Sequence, residues 1–157
     1  MKTIIDELIA NLKRIKPETV YSRSVTTEAL DEAANANRDQ LEKGTLSDGS
    51  TLPNYKKATE ARNNKRTTKV TTSDIIKFKD TGAFHKSIKA KINRNGELKL
   101  VSSSRKAILA QDYVDNGSIS KEATVLGLTP ENLKDWYDQF VEASFRKALL
   151  DRIRYGQ

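Results

Sequence analysis

The segment Ile88-Lys89-Ala90-Lys91-Ile92 alternates apolar and basic residues with the period of a strand. Asn93-Arg94-Asn95-Gly96 supplies a turn, and Glu97-Leu98-Lys99-Leu100 alternates again on the return. This hairpin is the clearest β signal in the chain. Ile75, Ile76 and Phe78 lead into Asp80-Thr81-Gly82, and a short helix is expected from about Ala83 to Ser87, so residues 73–102 read as one folding unit.

The two ends follow the helical period instead. Ile4, Ile5, Leu8, Ile9, Leu12 and Ile15 form one stripe, which predicts an amphipathic helix over about residues 2–15, ended by Pro17. Glu18 to Val25 reads as a connector. Thr26 or Thr27 then caps a second helix carrying Leu30, Ala33, Ala34, Asn37 and Leu41, with Gly44 at its left-handed end. Asp48-Gly49 between the short flanks of Leu46 to Leu52 predicts a tight hairpin. Tyr55 to Val70 lacks an apolar period beyond at most one helical turn at Ala58 to Arg62, and reads as an extended basic arm ordered by something outside the monomer. Ile108, Leu109 and Tyr113 mark a short helix, with a loop from Ser118 to Leu128 behind it. Thr129, Pro130 and Glu131 announce the last helix, whose stripe of Leu133, Trp136, Tyr137, Phe140, Val141, Phe145, Ala148, Leu149 and Ile153 makes it the expected keel.

The expected fold class is therefore α+β: N-terminal helices and a long C-terminal helix packed on a small antiparallel hairpin sheet, with an extended basic arm. One domain is expected over residues 1–157: a helical part at 1–44, a hairpin and the extended basic arm at 45–72, and the short helix, β-hairpin and terminal helix at 73–157. A length of 157 residues suits a single domain.

Charge is unevenly spread. Residues 54–94 hold twelve basic side chains against three acids (Glu60, Asp74 and Asp80), a net charge of +9, while the rest of the chain sets 16 basic residues against 18 acidic ones. Such a strip implies contact with phosphate or with an acidic protein surface, the alternative being a solvated, lysine-rich loop. Composition narrows the other classes. No apolar run approaches the ~18 residues of a bilayer span, and Asp6 and Glu7 interrupt any signal-peptide core, so a soluble chain is expected. With no cysteine and one histidine, thiol chemistry is excluded and neither metal nor cofactor is expected.

The motifs offer no credible catalytic set. Asp80-Thr81-Gly82 matches the aspartic-protease string, but that chemistry needs two carboxylates on strand-flanked loops and the chain holds one copy. Ser103 with Lys106 and Ser118 with Lys121 match Ser-x-x-Lys without partner motifs. Asn116-Gly117-Ser118 is a glycosylation sequon without a secretion route, and His85 reads as a structural histidine. The chain is expected not to be an enzyme.

The string Phe78-Lys79-Asp80-Thr81-Gly82-Ala83-Phe84-His85-Lys86-Ser87-Ile88 before a hairpin resembles the Asp-Thr-Gly-x-Leu-x-x-Ser-Ile segment of tailed-bacteriophage tail-completion (head–tail connector) proteins, with Phe84 in place of the leucine. Gln40 to Gly44 and Asp48-Gly49 look like proteins of the same neck class. Ala110-Gln111-Asp112-Tyr113-Val114-Asp115-Asn116-Gly117 is similar to their Tyr-x-x-Tyr-Val-x-x-Gly stretch, departing at Ala110. The resemblance spans roughly residues 30–150. It implies a structural virion protein, assembled in the bacterial host cytoplasm, that forms a ring in the neck around the DNA exit channel. Its partners would be copies of itself, portal or adaptor proteins, tail proteins and packaged DNA, with no membrane and no cofactor. Lys56, Lys57, Arg62, Lys65, Arg66 and Lys69 are the expected assembly or channel contacts. Asp80 would cap the short helix, Gly82 would permit close backbone approach, and Phe84 with Ile88 would anchor that helix to the terminal one. A nucleic-acid-binding module using the basic 54–94 segment is the alternative, although no helix-turn-helix spacing and few aromatics (Tyr55, Phe78, Phe84) accompany the charges.

Overall fold

The computed structural model describes residues 3–62, 67–78, 81–107 and 124–156. Helix α1 (Ile4–Arg14) starts from a reciprocal cap, in which the Thr3 hydroxyl accepts from the Asp6 amide and the Asp6 carboxylate accepts from the Thr3 amide. The Thr3 backbone N–H, then its hydroxyl, hold the Asp6 carboxyl below the usual carboxylate range. Pro17 opens a second helix, α2 (Pro17–Ser24), where the sequence had suggested a connector. Proline is preorganised for this first position. Val20 is buried, and Tyr21 stacks on Tyr137 and meets the edge of Phe145, so tertiary packing outweighs the weak helical propensity of this segment.

Helix α3 (Thr27–Glu42) is capped by the Thr26 hydroxyl, which accepts from the Ala29 amide. Gly44 follows it with φ 73°, and a Cβ there would lie 2.6 Å from Ile75 Cγ2, so both the turn and the packing require glycine. The Asp48-Gly49 turn closes as a single antiparallel bridge between Thr45 and Thr51. The chain then makes one helical turn, α4 (Lys57–Glu60), and returns through Val70 to Ile76. Helix α5 (Ala83–Ser87) leads directly into β1 (Ile88–Ile92), which pairs antiparallel with β2 (Leu98–Ser102). The register sets Ile88 opposite Ser102, Ala90 opposite Leu100 and Ile92 opposite Leu98.

The C-terminal helix has two parts. Helix α6 (Pro130–Trp136) starts at Thr129, whose hydroxyl accepts from the Asn132 amide, and α7 (Glu142–Tyr155) completes it. Between them Tyr137–Val141 form a π-helical turn. In an uninterrupted α-helix Trp136 and Val141 would point about 140° apart. The wider turn carries i→i+5 geometry, and both side chains are buried in one apolar cluster.

The core has two such clusters, and α3 contributes to both. Ala34 and Leu41 pack with Leu46, Leu52, Ile76, Phe78, Phe84, Ile88 and Val125. Ala29 and Ala33 pack with Trp136 and Val141, flanked by Ala90, Ile92, Leu98 and Phe140. The keel is thus α3, correcting the assignment to the terminal helix: α7 buries no residue fully, and Phe140 is only half-buried. Small alanines let α3 approach β1 and α6 closely, and the aromatic residues come to it.

Buried amides on α3 fix the approach to α6. Asn37 Nδ2 donates to the carbonyls of Val125 (3.2 Å) and Gly127 (2.9 Å). Gln40 Nε2 donates to the Gly127 carbonyl, while its Oε1 accepts from the Thr129 amide and from Asn132 Nδ2. Each amide satisfies backbone groups that a loop in contact with the core would otherwise leave unpaired. Trp136 Nε1 in turn donates to the Ala29 carbonyl.

Candidate functional site

The basic segment leaves the body at one place and returns at the same place. Asn54 and Ile75 form an antiparallel bridge, the Tyr55 amide donates to the Asp74 carbonyl at 3.0 Å, and the Ile76 amide donates to the Pro53 carbonyl at 2.9 Å. The expected arm is therefore an excursion tethered at both feet, with Val70 buried on its returning limb. Lys56, Lys57, Arg62 and Lys69 are exposed on it, and Lys65 and Arg66 lie outside the described residues. An open groove of about 680 Å³ runs between the returning limb and the start of α5, with Lys69, Asp74, Lys77 and Gly82 among its walls. It brings Lys69 and Gly82 together, while Lys56, Lys57 and Arg62 are not among its walls.

The helix–hairpin unit beside the groove differs in detail from what the resemblance implied. The N-cap position of α5 is Gly82, and the Thr81 hydroxyl accepts from the Ala83 amide. Asp80 itself lies outside the described residues. Gly82 is needed for its φ of 76° rather than for close approach, because a Cβ built there meets nothing within 4 Å. Phe84 and Ile88 are fully buried, but they join α5 and β1 to α3 and Leu46 in the first cluster, not to the terminal helix. Arg38 of α3 secures the junction: its Nε donates to the His85 carbonyl at 2.9 Å and its terminal nitrogen to the Ile88 carbonyl at 2.7 Å. The His85 carbonyl also accepts from the Ile88 amide, so the Arg38 cation adds a second bond at the carbonyl end of this short helix. His85 is buried, and its Nε2 bonds the Lys77 carbonyl at 2.7 Å, which requires the proton on Nε2.

Charge on the hairpin strands is confined to one face, which the lysines share with Val101. Ile88, Ala90, Ile92, Leu98 and Leu100 turn toward the body, and Lys89, Lys91 and Lys99 are exposed on the other face. Lys91 stands directly across from Lys99. Side chains so paired have Cβ atoms roughly 5 Å apart, and like charges there oppose pairing. Lys89 and Lys91 belong to the basic 54–94 strip and Lys99 lies beyond it, its signal in the sequence being the alternation of Leu98-Lys99-Leu100. Lys86 and Arg94 are also exposed, so residues 86–99 present five exposed cations against one exposed acid, Glu97. Among the described residues, no group of three or more His, Asp or Glu side chains is placed to hold a metal ion.

The lysine pair makes a direct prediction. Lys91→Glu converts a repulsive cross-strand pair into an attractive one and is expected to stabilise the monomer by about 0.2–1 kcal/mol, raising Tm by up to about 3 °C. Thermal unfolding followed by circular dichroism checks it, and a lower Tm would contradict the observed register.

The predicted terminal motif from Ala110 to Gly117, and the helix expected around Ile108, Leu109 and Tyr113, fall outside the described residues. Comparison with known protein families, curated proteins and solved structures finds no match.

Proposed function

We propose that this chain is a structural assembly protein, a ring-forming component of the head–tail neck of a tailed bacteriophage that surrounds the DNA exit channel. The observation that carries the reading is the α5–hairpin unit. The Asp-Thr-Gly string that resembles tail-completion proteins leads into a short helix locked to the core, and the hairpin behind it turns three lysines outward at a cost in local stability. A surface that keeps like charges opposed is suited to a negatively charged counterpart. In this reading Lys56, Lys57, Arg62, Lys65, Arg66 and Lys69 on the tethered excursion meet acidic groups of adjacent subunits, portal or adaptor proteins, or packaged DNA. The work of the protein is surface burial rather than chemistry, and it needs no cofactor.

Deleting the gene from its phage is expected to yield DNA-filled heads and free tails that do not join. Complementation by a chain with Lys56, Lys57, Arg62, Lys65 and Arg66 changed to glutamine is expected to fail although that chain folds. Intact tailed particles from the deletion would overturn the proposal. The alternative, a nucleic-acid-binding module, has its own signature. Non-specific duplex binding runs at a Kd of ~10⁻⁴–10⁻⁶ M and weakens steeply with salt. Sub-micromolar binding to random duplex DNA at ~0.15 M salt, abolished by the five glutamines, would favour that module instead.

A further inference from the structure

Helix α1 is amphipathic, yet most of its apolar surface is not used within the chain. It packs on α7 through its side bearing Leu8, Asn11 and Ile15, which are half-buried, and Asn11 Nδ2 donates to the Ile153 carbonyl at 3.1 Å. Ile5, Ile9 and Leu12 form an adjacent ridge and remain 66%, 45% and 52% exposed. Their spacing of four and then three residues is the d-a-d pattern of a coiled-coil seam. In that register Asp6 and Lys13 occupy successive e positions, while Leu8 and Ile15 take the g positions on the side of α7.

We infer that this ridge is a docking surface for the same ridge of a second copy, paired antiparallel. Charge selects both the occupant and the orientation. An antiparallel pair sets Ile9 against Leu12 of the second copy, twice by symmetry, and places e beside e. Asp6 then faces Lys13 of the second copy, and Lys13 faces its Asp6, so both ion pairs form at once. A parallel pair sets e beside g, which opposes Lys13 to Leu8 or Ile15 and leaves the charges unmatched. The antiparallel arrangement also opposes the two helix dipoles. Asp6 is preorganised for the contact: its Oδ2 takes both bonds from Thr3, which leaves Oδ1 available. Lys13 makes no ion pair among the described residues. The contact is isologous and closes at two copies, so it is independent of the head-to-tail contacts of a ring and goes beyond the proposed function.

A helix of eleven residues is about 16 Å long, so the contact is small. A dissociation constant of ~10⁻⁴ M is expected. Sedimentation equilibrium of the full chain from about 10 μM to 1 mM, spanning that value, is expected to show a monomer–dimer equilibrium. A monomer throughout would overturn the inference. Ile9→Lys alters an exposed position, so Tm should hold while dimerisation is lost; a persisting dimer would place the contact elsewhere. Lys13→Glu sets Asp6 against Glu and should weaken pairing about tenfold, and Asp6→Lys, which also removes the reciprocal cap with Thr3, should weaken it at least as much by setting two lysines together. Mixing these two chains restores both attractive pairs, and the heterodimer is expected to form more tightly than either homodimer. No preference in the mixture, with helix content intact by circular dichroism, would exclude the antiparallel pairing.

Discussion

Phe84→Ala is expected to lower the unfolding free energy by about 3–5 kcal/mol, a large share of the ~5–15 kcal/mol that holds an ordinary domain together. The side chain is 0% exposed, so truncation leaves a cavity rather than newly wetted surface. Its ring lies 5.5 Å from that of Phe78 and meets the His85 ring edge-on at 6.0 Å. It also packs in the cluster that includes Leu41 of α3 and Ile88 of β1, so the void would open where three elements converge. Relaxation into it is restricted because Arg38 holds the carbonyls of His85 and Ile88 in place. Urea unfolding should show a lower midpoint with an unchanged slope. A loss below about 1 kcal/mol would mean that α5 is not seated on α3. The same variant should fail in assembly only through instability, since Phe84 reaches no surface.

What the sequence made legible depended on how local the cause was. The hairpin and the short helix before it were readable because strand alternation and the Asn93–Gly96 turn are written in consecutive residues. The caps at Thr26 and Thr129 were readable for the same reason. Helix α2 was not, because Thr19, Val20 and the serines give little helical preference and its stability comes from Tyr21 meeting Tyr137 and Phe145 more than a hundred residues away. Centrality was also hidden. An alanine-rich helix shows a weak apolar stripe, yet α3 lies in both clusters because small side chains allow close approach. At the candidate site, the lysines were visible as a charge excess, but their division between a tethered excursion and one face of a hairpin depends on pairings such as Asn54 with Ile75 and Lys91 with Lys99. Arg38 gave no signal at all, because its role is to satisfy carbonyls about fifty residues away. Asn37 did give one, a polar residue in a buried register, and its amide proved to grip the loop before α6.

Trp136→Ala is expected to match Phe84→Ala in cost, about 3–5 kcal/mol, for a different reason. The indole is the largest side chain of the second cluster, and it is buried there with Ala29, Ala33 and Val141. Its Nε1–H donates to the Ala29 carbonyl, so α6 is joined to α3 by a polar contact inside an apolar contact. Trp136→Phe separates the two contributions. It keeps an aromatic ring and loses the donor, which should cost roughly 1–3 kcal/mol as a buried hydrogen bond is removed. The π-helical turn makes the position still more sensitive. It exists because Trp136 and Val141 must face the same cluster from positions five apart, and the gain in burial offsets the poorer hydrogen bonding of the widened turn. Once the indole is gone, one of the two anchors that favour the wide turn is lost. Tyr137–Val141 is then free to revert to α-helical geometry, which would turn α7 relative to α1 and α2, on which it packs. Amide exchange in Trp136→Ala is therefore expected to rise across α1, α2 and α7 together, while the Phe84 cluster stays protected. Uniform exchange over the whole chain would show instead that the two clusters unfold as one unit.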